Sequence, residues 1–330
     1  MKRSSQSAFK LGLLAAALSL AAASAFASDP KASKYYEDAL QRFEKQDHKG
    51  AIVQLKNAMK LDRKLLPVHV LLGRALLANG ELNAAEAAFD EALKMGVNPI
   101  EIVLALAETV SAQGKPGLLL TDARFAHAAL PVDMKTKLLL FKAAAASDTG
   151  QGREALKFIE EARALTPNSA ESWITEVPAR VRARQLTEAK VAADKAVALD
   201  TKSPPAAYQQ ATVAHVSGDL KAAVAMYTRT LGLKAEHVDA RVARAGIQFD
   251  LGEIDAASTD VQAARKADPK DPRSAYLAAL LFERKGQAAE AKKALLEVTN
   301  LLDPFPVEYL RYRPQLLMMG GMSQDRKSVV

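Results

Sequence analysis

A glycine returns at a nearly constant interval along this chain, and that interval leaves few folds open. A step of 34 residues links Gln46, Gly80 and Gly114; two extra residues intervene, and the same step then links Gly150, Arg184, Gly218, Gly252 and Gly286. Six of these eight places hold glycine in a chain with only 16 glycines, which is far more than scatter would give. A second column holds small residues (Ala39, Gly73, Ala107, Ala143, Val177, Ala211, Ala245, Ala279), and a third holds mostly larger apolar ones (Leu55, Phe89, Ala123, Ile159, Ala193, Tyr227, Val261, Leu295). A fourth, beginning at Ala51 and Ala85, is alanine except at Leu119. A period of this length is one supersecondary unit, and such units are stable only when stacked.

The segment "YYEDALQRFEKQDHKGAIVQLKNAMKLD", residues 35–62, shows what the unit is. Tyr36, Ala39, Leu40 and Phe43 fall at helical spacing, residues 46–50 break the pattern, and Ile52, Leu55, Ala58 and Met59 resume it. This is an αα-hairpin whose helices are near the length at which isolated helices are marginal in water, so it needs neighbours of the same geometry. The composition agrees: 49% of residues are hydrophobic but only 5% aromatic, which suits closely packed helices rich in alanine.

These columns, and "VLLGRALLANGELNAAEAAFDEAL" at residues 70–93 above all, resemble the tetratricopeptide repeat (TPR) family over about residues 32–305. The resemblance implies an all-α, right-handed α-solenoid of about eight helix-turn-helix repeats. Units 3 and 5 depart from the pattern. Unit 3 has Leu119 in the alanine column and an insertion after it, and unit 5 has Pro178 inside its first helix. Proline removes a helix hydrogen bond and crowds the preceding turn, so a kink or a fresh helix start, and with it an altered superhelix, is expected around Trp173 to Arg184.

The ends read differently. Lys2, Arg3 and Lys10, the apolar run Leu11 to Ala22, and Ala25-Phe26-Ala27 form the pattern of a secretory signal peptide over residues 1–27, with the mature chain starting near Ser28. The domain division is therefore 1–27 signal, 28–305 solenoid, and 306–330 a partial ninth repeat or cap with a polar tail. Either Tyr309 to Met319 covers the last apolar face, or the array continues further. No segment after the signal reaches the roughly 20 apolar residues of a membrane-spanning helix. Without the signal the formal charge of +7 falls to +4, a modest excess expected to be spread over solvated helix surface.

In TPR proteins the first helices line the concave face and the fifth residue of each unit commonly points into it. That column here is Tyr36, Val70, Leu104, Leu140, Ile174, Tyr208, Val242 and Tyr276. It has no asparagine or lysine, so the resemblance excludes the carboxylate-clamp type and implies an apolar groove with tyrosines. Tyr36, Tyr208, His215, Phe249 and Tyr276 are the candidate partner-binding residues. Tyr208, Phe249 and Tyr276 offer flat faces for an extended peptide or for sugar rings, or they fill the seam between repeats. Trp173 is read as a core residue.

Chemistry finds little support. With no cysteine, thiolate metal sites and cysteine nucleophiles are excluded, and His48, His69, His127, His215 and His237 show no metal-ligand spacing. Neither GxSxG, HExxH nor GxGxxG occurs, and Glu160 and Glu161 point to different sides of a helix and read as solvated surface. No enzyme, cofactor or metal is expected. Nucleic acid is not an expected partner; Arg180, Arg182 and Arg184 form a basic cluster whose target, if any, is phosphate or anionic polysaccharide.

Residues 35–62, directly after the signal, also resemble the first unit of the exported TPR protein found with the exosortase/PEP-CTERM sorting system of Gram-negative bacteria that make exopolysaccharide. That implies a periplasmic or envelope scaffold with envelope protein partners, linked to protein sorting and exopolysaccharide assembly or export. Those proteins are typically longer arrays and often lipoproteins, whereas this chain has no cysteine to acylate. Direct exopolysaccharide binding by the tyrosine and phenylalanine ladder is the alternative.

Overall fold

The computed structural model describes residues 29–301, so the signal peptide expected over residues 1–27 and the segment 306–330 lie outside the described residues. Those described hold sixteen α-helices, two short 3-10 turns and no strand, as the period requires. The chain divides into two compact units, one of residues 29–118 with 122–125 and the other of 119–121 with 126–301.

In the first unit, α1 (Pro30–Glu44) pairs with α2 (His48–Leu61) and α3 (Leu66–Ala78) with α4 (Leu82–Lys94); α5 (Val103–Ala112) follows. In the second, the pairs are α7 (Val132–Asp148) with α8 (Gly152–Leu165), α9 (Ala170–Arg182) with α10 (Leu186–Leu199), α11 (Pro204–Val216) with α12 (Leu220–Leu233), α13 (Val238–Asp250) with α14 (Ile254–Ala267), and α15 (Pro272–Arg284) with α16 (Ala288–Leu301). First helices touch their successors, as α1 does α3, α7 does α9, α9 does α11 and α13 does α15, while each second helix packs on the following first helix. The first helices therefore lie side by side from α1 to α5 in the first unit, and from α7 to α11 and α13 to α15 in the second.

Local signals set these boundaries. Proline stands in the first turn of α1, α3, α11 and α15, where its missing N–H costs nothing. Asp47, Ser203 and Asp219 cap α2, α11 and α12 by accepting from backbone N–H groups three residues on. The glycine column ends the first helices: Gly80 lies at φ 79°, its N–H donates to the Leu77 carbonyl, and the next N–H, of Glu81, reaches back to Leu76. Gln46 (φ 64°) and Arg184 (φ 58°) take the same left-handed conformation and the same pair of bonds without being glycine.

Inside each hairpin the second and third columns fit each other by volume. A Cβ on Gly73 would lie 2.4 Å from the Phe89 ring, so that repeat trades a methyl group for a phenyl. In unit 5 the sizes are exchanged, with Val177 packed in one cluster with Ala193. Unit 3 breaks the columns as expected. There α6 (Pro116–Thr121) is only six residues long, Ala123 is exposed, and Phe125, two positions later, is fully buried in its place.

Unit 5 departs from expectation in one respect. Its first helix does not begin anew at Pro178: α9 runs unbroken over 13 residues, the length of α11, α13 and α15. Glu176 and Arg180 form an ion pair across the proline at 2.9 Å. That carboxylate also takes the Arg163 guanidinium from α8, whose plane lies 3.5 Å over the Trp173 ring. Packing and charge-assisted bonds thus hold a helix that local preference would interrupt.

Candidate functional site

The first-helix layer of the second unit is where the repeat period and local packing leave side chains partly open. The fifth-residue column supplies Leu140, Ile174, Tyr208, Val242 and Tyr276, each buried or half-buried. Four positions further on stand Ala144, Pro178, Thr212, Gly246 and Leu280, all uncharged. At Gly246 an added Cβ would meet nothing within 4 Å, so the surface of α13 is open there.

Of the residues expected to meet a partner, Tyr208, His215, Phe249 and Tyr276 lie in this unit, whereas Tyr36 lies on α1 in the other. Tyr208 is half-buried and stacks on the His237 ring at 4.9 Å, with Tyr227 tilted beside it at 5.7 Å. Burial raises the Tyr208 phenol above its ordinary value, helped by Asp239. Tyr227 is fully buried, pushed up to about 12 by that burial, and its hydroxyl lies 3.5 Å from that of Thr212. His215 sits edge-on to Tyr227 at 6.3 Å, and burial holds its imidazole below the usual value. Phe249 and Tyr276 pack against the core of the last two hairpins, and the Arg284 guanidinium covers the Phe249 ring at 5.3 Å. Tyr36 is half-buried, and burial raises its phenol against the pull of Arg74.

Sequence reasoning missed the ionic groups that knit this layer together. Asp260, 2% exposed, accepts from Arg241 (3.1 Å) and from Arg244 through two nitrogens (2.7 and 2.8 Å). Arg273 reaches from α15 to Asp239 on α13 at 2.7 Å and also binds Asp271, its own helix cap. The basic cluster read at 180–184 is largely neutralised: Arg180 bonds Glu176 and Gln185, and Arg182 bonds Asp148 at 2.6 Å. Of the adjacent acids, Glu160 is exposed as expected, but Glu161 pairs with Lys135 at 2.9 Å. Trp173 is half-buried and packs against the Val177 cluster. Among the described residues no group of histidine and carboxylate side chains is arranged to hold a metal ion, and no helix is long and apolar enough to cross a membrane.

The tetratricopeptide repeat family model matches residues 42–108 and 214–281. Over those two stretches the hairpins are similar to tetratricopeptide repeats. Solved structures are similar in fold: PilW, titled a widely conserved type IV pilus biogenesis factor, superposes with a TM-score of 0.52 at 16% identity, covering 62% of this chain and 94% of its own. The Cut9–Hcn1 hetero-tetramer of the APC/C gives 0.51 at 13% identity, covering 89% of this chain and 71% of the other. A tetratricopeptide repeat protein from Parabacteroides merdae gives 0.48 at 14% identity, with 89% and 100% covered. No curated protein matches by sequence. TPR arrays are generally scaffolds for protein–protein interaction.

Proposed function

We propose that this protein is an exported, non-enzymatic adaptor that holds an extended segment of a partner protein along the first-helix layer of its second unit. The observation that carries this reading is the run of small and apolar positions over α9 to α15, open at Gly246 and flanked by half-buried aromatic side chains. A segment laid there would bury apolar surface on several repeats in turn, each contributing a little. The signal-like residues 1–27 and the resemblance of residues 35–62 support a periplasmic or envelope location and a role in exosortase/PEP-CTERM protein sorting and exopolysaccharide assembly or export.

A protein segment is favoured over sugar because one face of Tyr208 is already covered by His237 and the Phe249 ring by Arg284. Stacking on a sugar needs a free aromatic face. The test is capture from envelope extract by the full chain, beside a Gly246→Trp variant that fills the open position and improves the local helix propensity, with proteins and sugars both analysed. A protein captured by the wild type and lost by an equally stable variant is the expected result. Equal capture by both would overturn the groove, and polysaccharide alone would move the function to carbohydrate binding. A mature N-terminus near Ser28 on the native protein is the expected sign of export.

A further inference from the structure

We propose that the first unit carries a second binding site, for an acidic protein segment that also presents an apolar side chain, in the cleft between the C-terminal end of α2 and α4. The cleft is open to solvent and holds about 500 Å³. Lys56 and Lys60 line it from α2, Arg63 and Lys64 from the following turn, and Glu91 from α4. All four cations are exposed, and among the described residues none has a carboxylate within 4.0 Å. Glu91, which lines the cleft, pairs with Lys94, and Asp62 in the adjoining turn accepts from the Lys64 backbone N–H at 2.8 Å.

Cations without an ion pair, such as Lys34, Arg153 and Arg184, occur elsewhere, but here four of them line one cavity. Arg42, Arg124, Arg182, Arg244 and Arg273 each bind at least one carboxylate. Here Lys56 and Lys60 stand one turn apart on one helix face and repel each other. The dipole of α2 accounts for a cation in its last turn, which is Lys60, but not for four around one cavity. The turn is also held in place: the buried His69 ring lies 2.8 Å through Nε2 from the Arg63 carbonyl, which fixes the backbone that presents Arg63 and Lys64.

Charge alone would suit any anion, but Met59 and Met95 also line the cleft, and both are half-buried. Methionine offers an adaptable apolar surface. A sugar acid or a bare phosphate would satisfy the cations and leave the two thioethers in water. A segment of carboxylates with an apolar residue between them uses both parts of the lining. This site lies in the first unit and is independent of the groove proposed for the second.

The test is fluorescence anisotropy of the full chain with a short labelled peptide alternating glutamate and leucine, beside the same peptide with glutamine for glutamate and beside oligogalacturonate. Saturable binding of the glutamate and leucine peptide is expected, at least tenfold weaker for the glutamine peptide and falling steeply with salt. The double variant Lys60→Glu, Arg63→Glu, at exposed positions and checked for an unchanged melting temperature, should bind at least tenfold more weakly, and Met59→Gln should also weaken it. Gly246→Trp should leave it unchanged. Absence of saturable binding, equal binding by the charge-reversed variant, loss on Gly246→Trp, or oligogalacturonate binding as tightly as the peptide would each overturn the proposal.

Discussion

At the scale of the residue, the glycine column is a statement about one backbone angle. Every first helix that ends at this column does so in the left-handed region, where a side chain costs roughly 1–2 kcal/mol and glycine costs nothing. Gln46 and Arg184 bear that cost. Replacing Arg184 by glycine removes the strain but adds freedom to the unfolded chain, so the net gain expected is about 0.5–1 kcal/mol. Urea denaturation should show Arg184→Gly unfolding at a higher midpoint than wild type, with no such gain for Arg184→Ala. A midpoint at or below wild type would mean that the turn is not strained there. The two missing glycines were visible in the sequence as gaps in a column; that the gaps keep the same conformation was not, because it is the packed hairpin that holds it.

At the scale of the element, α9 shows tertiary structure overruling local preference. Pro178 cannot donate to the Ile174 carbonyl, a defect worth about 3 kcal/mol in a helix interior. The helix nonetheless runs through, held by the buried Val177 and Ala179 on either side and by the Glu176 to Arg180 pair. Pro178→Ala should therefore raise stability by up to about 3 kcal/mol while leaving the helical circular dichroism almost unchanged, since there is little helix left to gain. A rise in helicity without a rise in stability would show instead that the proline breaks α9 in solution. Unit 3 is the opposite case, where the sequence irregularity is real: the helix is short, the third column slips, and Phe125 rather than Ala123 fills the core.

At the scale of the whole molecule, three histidines tie stability to pH. His127, His215 and His237 are all held below the ordinary imidazole value near 6.5, chiefly by burial, with Lys142 adding to it at His127. The unfolded chain then binds more protons than the folded one between the lowered and the ordinary values. Their contribution is fully present above about pH 6.5 and is lost as the pH falls below it. The melting temperature should accordingly be level above that pH and decline below it, well before the carboxylates held low, such as Asp47 by the Gly50 N–H and then Arg42, and Asp122 by Arg124, begin to protonate. The combined His127→Gln, His215→Gln, His237→Asn variant should flatten this decline; a melting temperature that rises on acidification through the same range would contradict the burial of these rings.

The sequence by itself determined the period, the hairpin, the helix ends and the small and large columns, because each depends on spacing along the chain or on the conformational limits of one residue type. Only the tertiary structure decided which charges are paired. Asp260 and Glu176 look like ordinary helix-surface acids in the sequence, yet both are buried against arginines, Asp260 by Arg241 and Arg244 of α13 and Glu176 partly by Arg163 of α8. The reverse holds for Lys56, Lys60, Arg63 and Lys64, which read as a solvated surface and are brought round one cleft with no carboxylate within ion-pair distance among the described residues. Periodicity fixes which face of a helix a residue occupies; what stands opposite that face depends on the neighbouring helix, and no spacing within one repeat encodes it.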